Sequence, residues 1–144
     1  QYKDKELVQL KTELDFIKSY LFLLEIRYPE NLTVEYKIAA GALRTHIAPL
    51  TLQILVENVI KHNVISKSDP LTIEIYTDDQ NHVVVKNKLQ LKSIAKNSTK
   101  TGLENIRKRY QYLSNKSIEV INNNQQFLVQ VPLIYFESEQ EVTF

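Results

Sequence analysis

Near the middle of the chain the stretch LVENVIKHN, Leu55 to Asn63, carries a carboxylate, a carboxamide, an amine and an imidazole: Glu57, Asn58, Lys61 and His62. The amide oxygen of Asn58 can ligate Mg2+, the carboxylate of Glu57 can orient a nucleophile, and Lys61 or His62 can meet phosphate. On a helix advancing ~100° per residue, Leu52, Leu55, Val56, Val59 and Ile60 share one broad face. The four polar residues are expected on the other. The simpler reading of such a row is a solvated face with a Glu57–Lys61 pair at i, i+4. Against it, Leu50 and Ile54 fall on the polar side one to two turns earlier. That implies a covered surface from which the row emerges, as at a pocket edge.

The elements that must position this row follow from periodicity. Leu7, Leu10, Leu14, Ile17, Leu21 and Leu24 recur at three- and four-residue steps, predicting a helix from Glu6 to Arg27 that Pro29 ends. LTVEYKI (Leu32 to Ile38) alternates as a strand packed on one side. Pro49 opens the helix that runs to His62. LTIEIYT and HVVVK read as strands around the turn DDQN, GLENIRKRYQYL as a helix, and SIEVI and FLVQVPLI as a hairpin around NNNQQ. This order predicts one α+β domain, a two-layer sandwich with a mixed, largely antiparallel sheet covered on one face by helices. Between Asn87 and Thr101 lies a long connection without periodicity, either a lid or an unstructured loop.

With 144 residues, 43% of them hydrophobic, and a net charge of +1, the chain reads as an ordinary globular protein. The charge balance argues against nucleic acid or an anionic membrane as the main partner. Arg107, Lys108 and Arg109 make only a short basic run. Absence of cysteine excludes disulfides and thiolate metal sites. The chain opens without Met and already inside a helical pattern, so a domain of a longer protein is expected.

LVENVIKHN resembles the N box of the GHKL ATPase superfamily. Together with LKTELDFIKSYLFLLEIRYPENLTVEYKI before it, STKTGLENIRKRYQYLSN after it and the terminal VQVPL, it resembles the LytS/YehU-type sensor histidine kinases from about Glu6 to Leu133. The resemblance implies a Bergerat-type ATP-binding domain over residues 29–136. Residues 1–28 would be a helix leading to a dimerisation and phosphoacceptor region, and 137–144 a tail. It further implies Asn58 as the Mg2+ ligand, Glu57 as the catalytic carboxylate, and Lys61 and His62 near the phosphates. The loop ending at Thr101 would be the ATP lid, with Gly102 and Leu103 opening a helix whose N-terminus faces the phosphates. The implied partners are Mg2+ with ATP, the acceptor domain of the same protein and a response regulator. The implied setting is a cytoplasmic domain of a membrane-anchored protein.

The adenine side departs from the family pattern. Asn87 stands where an Asp is usual, Lys88 and Leu89 where glycines are expected, and Lys100 where the lid has a second glycine. Asn87 can still accept a hydrogen bond from the adenine amino group, as a neutral acceptor. Of the three histidines, His46, His62 and His82, none lies in the first helix, so phosphotransfer needs a His from outside this chain. The alternative of a different class is a degenerate scaffold that kept the fold, lost nucleotide and uses the leucine seam of its first helix for docking.

Overall fold

The computed structural model describes residues 6–90 and 98–135, with the backbone alone for 98–101. In chain order the elements are β1 (Val8–Gln9), α1 (Leu10–Arg27), β2 (Leu32–Lys37), a 3-10 turn (Ala40–Arg44), β3 (His46–Ile47), α2 (Thr51–His62), β4 (Leu71–Thr77), β5 (His82–Lys88), α3 (Ser98–Leu113), β6 (Glu119–Asn122) and β7 (Gln126–Pro132). Five strands form one sheet in the order β2-β4-β5-β7-β6, with β2 parallel to β4 and every other pair antiparallel. The fold is the mixed α+β sandwich expected from the sequence.

The parallel pair explains where α2 sits. Parallel neighbours need a crossover, and the chain between β2 and β4 supplies it, with α2 as its helix. Alternation in the strands gives α2 its floor. Ile73 and Ile75 of β4, Val83 and Val85 of β5, and Val129 and Val131 of β7 join one core cluster, none more than 2% exposed. Leu52, Leu55, Val56 and Val59 close over that floor. A second, two-stranded sheet pairs β1 with β3, and Ile134 bridges to His46 at its side.

Four expectations need correction. The first helix begins at Leu10, because Val8 and Gln9 pair with Ile47 and His46; a cross-strand partner outweighs local periodicity there. Its seam is not a free docking surface. Leu10, Leu14, Ile17 and Leu21 lie in the core at 2% exposure or less, while Phe16, Phe22, Leu23 and Ile26 face outward. The third helix starts at Ser98, so Gly102 lies inside it and does not open it. Reading Gly as punctuation failed because a helix tolerates one at ~1 kcal/mol. Finally Leu50 is exposed, not covered. It adopts φ 69 just before α2, a left-handed conformation costing an L-residue ~1–2 kcal/mol.

The turns follow their chemistry. Asp78 accepts hydrogen bonds from the amides of Gln80 and His82, and Asn81 takes φ 67. In the last hairpin Asn124 takes φ 70 and Asn123 accepts from the amides of Gln125 and Gln126. Asparagine thus does the work that glycine often does in such turns.

Candidate functional site

Helix α2 lies between the other two helices and exposes a different part of its polar row to each. On the α1 side, Glu57 is exposed; its carboxylate accepts from Gln53 Nε2 at 3.1 Å. Burial pushes the hydroxyl of Tyr20, on α1, above its ordinary pKa, and the Glu57 charge adds to the shift. On the α3 side, Asn58 meets Gly102. A Cβ at Gly102 would stand 3.2 Å from Asn58 Nδ2 and 3.3 Å from Ile54 Cγ2. Gly102 does not have positive φ, so its value is close approach and not backbone freedom.

Asn58 Nδ2 is buried without a hydrogen-bond partner among the described residues. Such an atom costs roughly 1–3 kcal/mol, and a native fold that keeps one calls for an explanation, a bound ligand or ion among them. Both ends of this amide lie near Gly102, so a rotation of the carboxamide would turn either the amine or the oxygen to a ligand.

Asn87 is held differently. It is 1% exposed on β5, on the same face as Val83 and Val85, and its Nδ2 donates to the Lys88 carbonyl at 2.8 Å. That bond fixes the amide orientation, because the oxygen cannot replace a donor there. The oxygen that remains, Asn87 Oδ1, is buried and unpartnered among the described residues. It is an acceptor in search of a donor.

Lys61 is exposed and lines a cavity of about 340 Å³ with Tyr28, Ile60, Asn63, Val64 and Ile65. His62 departs from the expected outer face. It is 3% exposed, since its helical angle places it ~20° from buried Leu55, on the inner edge of the row. Leu103 is half-buried and packs against the core cluster. The side chain of Thr101 and residues 91–97 of the expected lid lie outside the described residues.

Sequence reasoning missed four residues that hold this arrangement. Asn63, 3% exposed, donates to Val59 O at 3.0 Å and accepts from the Gln90 amide at 2.8 Å. Gln90 Nε2 then donates to Val64 O, so the end of α2 is tied to the exit of β5 just past Asn87. At the other end, Glu13 of α1 accepts from the amides of Leu50 and Leu52, and Ala48 N–H donates to the Tyr110 hydroxyl. Only a tertiary contact reveals these roles; each residue looks unremarkable in its own segment.

Among the described residues, no group of three or more His, Asp or Glu side chains could hold a metal ion unaided. A site offering the single oxygen of Asn58 fits Mg2+ that takes its other ligands from phosphate and water.

Comparison with solved structures defines the fold. A nucleotide-free catalytic domain of the histidine kinase ThkA superposes with a TM-score of 0.60, covering 90% of this chain and 99% of that one at 17% identity. The histidine kinase AdeS of Acinetobacter baumannii gives 0.56, with 89% and 66% covered at 13% identity. The fold is that of histidine kinase catalytic domains.

Its sequence relatives are more particular. The chain is 29% identical, over 93% of its length, to the sensor protein LytS of Staphylococcus saprophyticus, covering 26% of that protein. It is 33% identical to Bacillus subtilis LytS over 51% of its length, covering 13% of it. The resemblance to the LytS/YehU-type sensor histidine kinases is borne out. The chain spans about a quarter of the length, or less, of these relatives. No protein-family model matches it.

Proposed function

We propose that this domain binds Mg-ATP and, within a longer protein, delivers the γ-phosphoryl group to a His outside this chain. The observation that carries the reading is Asn87 Oδ1, a buried acceptor with no donor among the described residues, at the position where the family holds adenine. The exocyclic amine of adenine would satisfy it. Asn87 thus keeps the hydrogen-bonding capacity of the usual Asp without its charge, and the scaffold alternative is not favoured.

Asn58 would ligate Mg2+, which when bound neutralises phosphate charge. Gly102, pressed against Asn58, lets the backbone of α3 come near the phosphates, with Thr101 and Leu103 beside it. Lys61 supplies a cation at the surface, and His62 would touch ligand only on the inner side of α2. Glu57, on the solvent side, would hold the N–H of an incoming imidazole. That imidazole forms its bond to the γ-phosphorus as the bond to the ADP oxygen breaks, and Glu57 can take the proton. The acceptor region, a response regulator and a cytoplasmic position in a membrane-anchored protein belong to the same proposal. No helix among the described residues is long and apolar enough to cross a membrane.

A thermal-shift comparison tests this. ATP with Mg2+ at ~100 times its Kd is expected to stabilise the domain by about 2.7 kcal/mol, and GTP much less. Equal, negligible shifts at millimolar ATP and GTP would contradict the reading.

A further inference from the structure

Helix α2 has no N-terminal cap of its own. Leu50 contributes no side-chain hydrogen bond, and the first turn contains no acidic residue. The carboxylate of Glu13, one turn into α1, takes that place. Its Oε2 accepts from Leu50 N–H at 2.7 Å and its Oε1 from Leu52 N–H at 3.0 Å. Both oxygens are engaged, so the contact restrains the rotation of α2 as well as its distance from α1, and the negative charge suits the helix dipole. Helix α3 holds the same loop from the other side. Ala48 N–H donates to Tyr110 Oη at 3.2 Å, and Arg109 donates to Pro49 O at 3.1 Å. The same α3 meets Asn58 through Gly102, eight residues beyond Leu50 and ~12 Å along the axis of α2.

We infer that Glu13 is a positioning residue for the nucleotide site: through its forked cap, α1 sets the placement of α2 and so the fit of Asn58 against Gly102. The inference rests on the proposed role of Asn58. Its physical basis is the lack of slack. Close-packed interiors transmit strain, and the Asn58–Gly102 contact would take a methyl group only if Asn58 or Ile54 gave way by a few tenths of an ångström. A displacement of α1 is therefore passed to the ligand-facing side of α2 by hydrogen bonds rather than lost in loose packing. Leu50, kept in its left-handed conformation with its N–H on Glu13, marks how firmly this joint is specified.

The test compares Glu13→Ala and Glu13→Gln with Ile118→Val, a buried change just before β6, at the sheet edge opposite β2, of similar expected destabilisation. Mg-ATP affinity is measured by calorimetry at a temperature where every variant is folded, and amide hydrogen exchange is measured without nucleotide. Glu13→Ala is expected to lose at least about fivefold in affinity while Ile118→Val stays within about twofold, Glu13→Gln falling between them. Exchange should rise along α2 as far as Asn58 and Lys61, and around Gly102. An affinity for Glu13→Ala within about twofold of the parent, or an equal loss in Ile118→Val, would overturn the inference. So would faster exchange confined to residues 50–54. If the parent itself binds no nucleotide, the proposed function fails separately. Exchange then decides alone: a rise reaching Asn58 sustains the coupling, and a rise stopping at the first turn overturns it.

Discussion

Two carboxamides, Asn58 on α2 and Asn87 near the end of β5, each keep one polar atom buried and unpartnered among the described residues. A protein selected for stability alone would discard them, since removing an unsatisfied group relieves a desolvation cost. Asn87→Leu, close in shape, is expected to change stability by no more than about 1 kcal/mol, because the lost bond to Lys88 O is offset by removal of the orphaned acceptor. The same change should erase the preference for ATP over GTP. Chemical denaturation and paired titrations check the two halves. At this scale the sequence was partly legible. The residue types of Asn58 and Asn87 announced their chemistry, whereas His62 misled, because one residue of helical phase separates an outer from an inner position.

At the scale of elements, the helices α2 and α3 touch where Gly102 meets Asn58 and Ile54. Gly102→Ala gains ~1 kcal/mol of helix propensity but adds a methyl group to a full contact, a change costing about 1–3 kcal/mol. The melting temperature is expected to fall by a few degrees at most, while Mg-ATP affinity drops markedly; an unchanged affinity would show that the contact is not part of the site. Periodicity revealed β4, β5, α2 and the last hairpin well. It missed the start of α1 and of α3, because strand pairing by Val8 and the backbone tolerance of a helix for glycine are not local signals. The caps from Glu13 and the tie from Asn63 to Gln90 were illegible for the same reason: their partners are distant in sequence.

At the scale of the whole molecule, one core holds α1, α2, α3 and the sheet together, so the site and the stability of the fold share residues. Tyr110 is the clearest case. It is fully buried and hydrogen-bonds the loop before α2; burial, its largest cause, pushes its pKa well above the ordinary tyrosine value. A raised folded-state pKa means that the unfolded chain releases this proton first. Stability from this group is therefore fully present below about pH 10 and declines above it, by up to about 1.4 kcal/mol per pH unit. Tyr110→Phe should flatten that decline in chemical denaturation between pH 9 and about 11.

The most direct test of the account is a calorimetric titration of the domain and of Asn58→Ala with ATP, each with and without Mg2+. The parent is expected to bind ATP more tightly when Mg2+ is present. Asn58→Ala should lose that Mg2+ dependence while remaining at least as stable, because the buried unpartnered nitrogen is gone. Undiminished Mg2+-dependent binding by Asn58→Ala, or no binding of ATP by the parent at several millimolar, would contradict the assignment of this site.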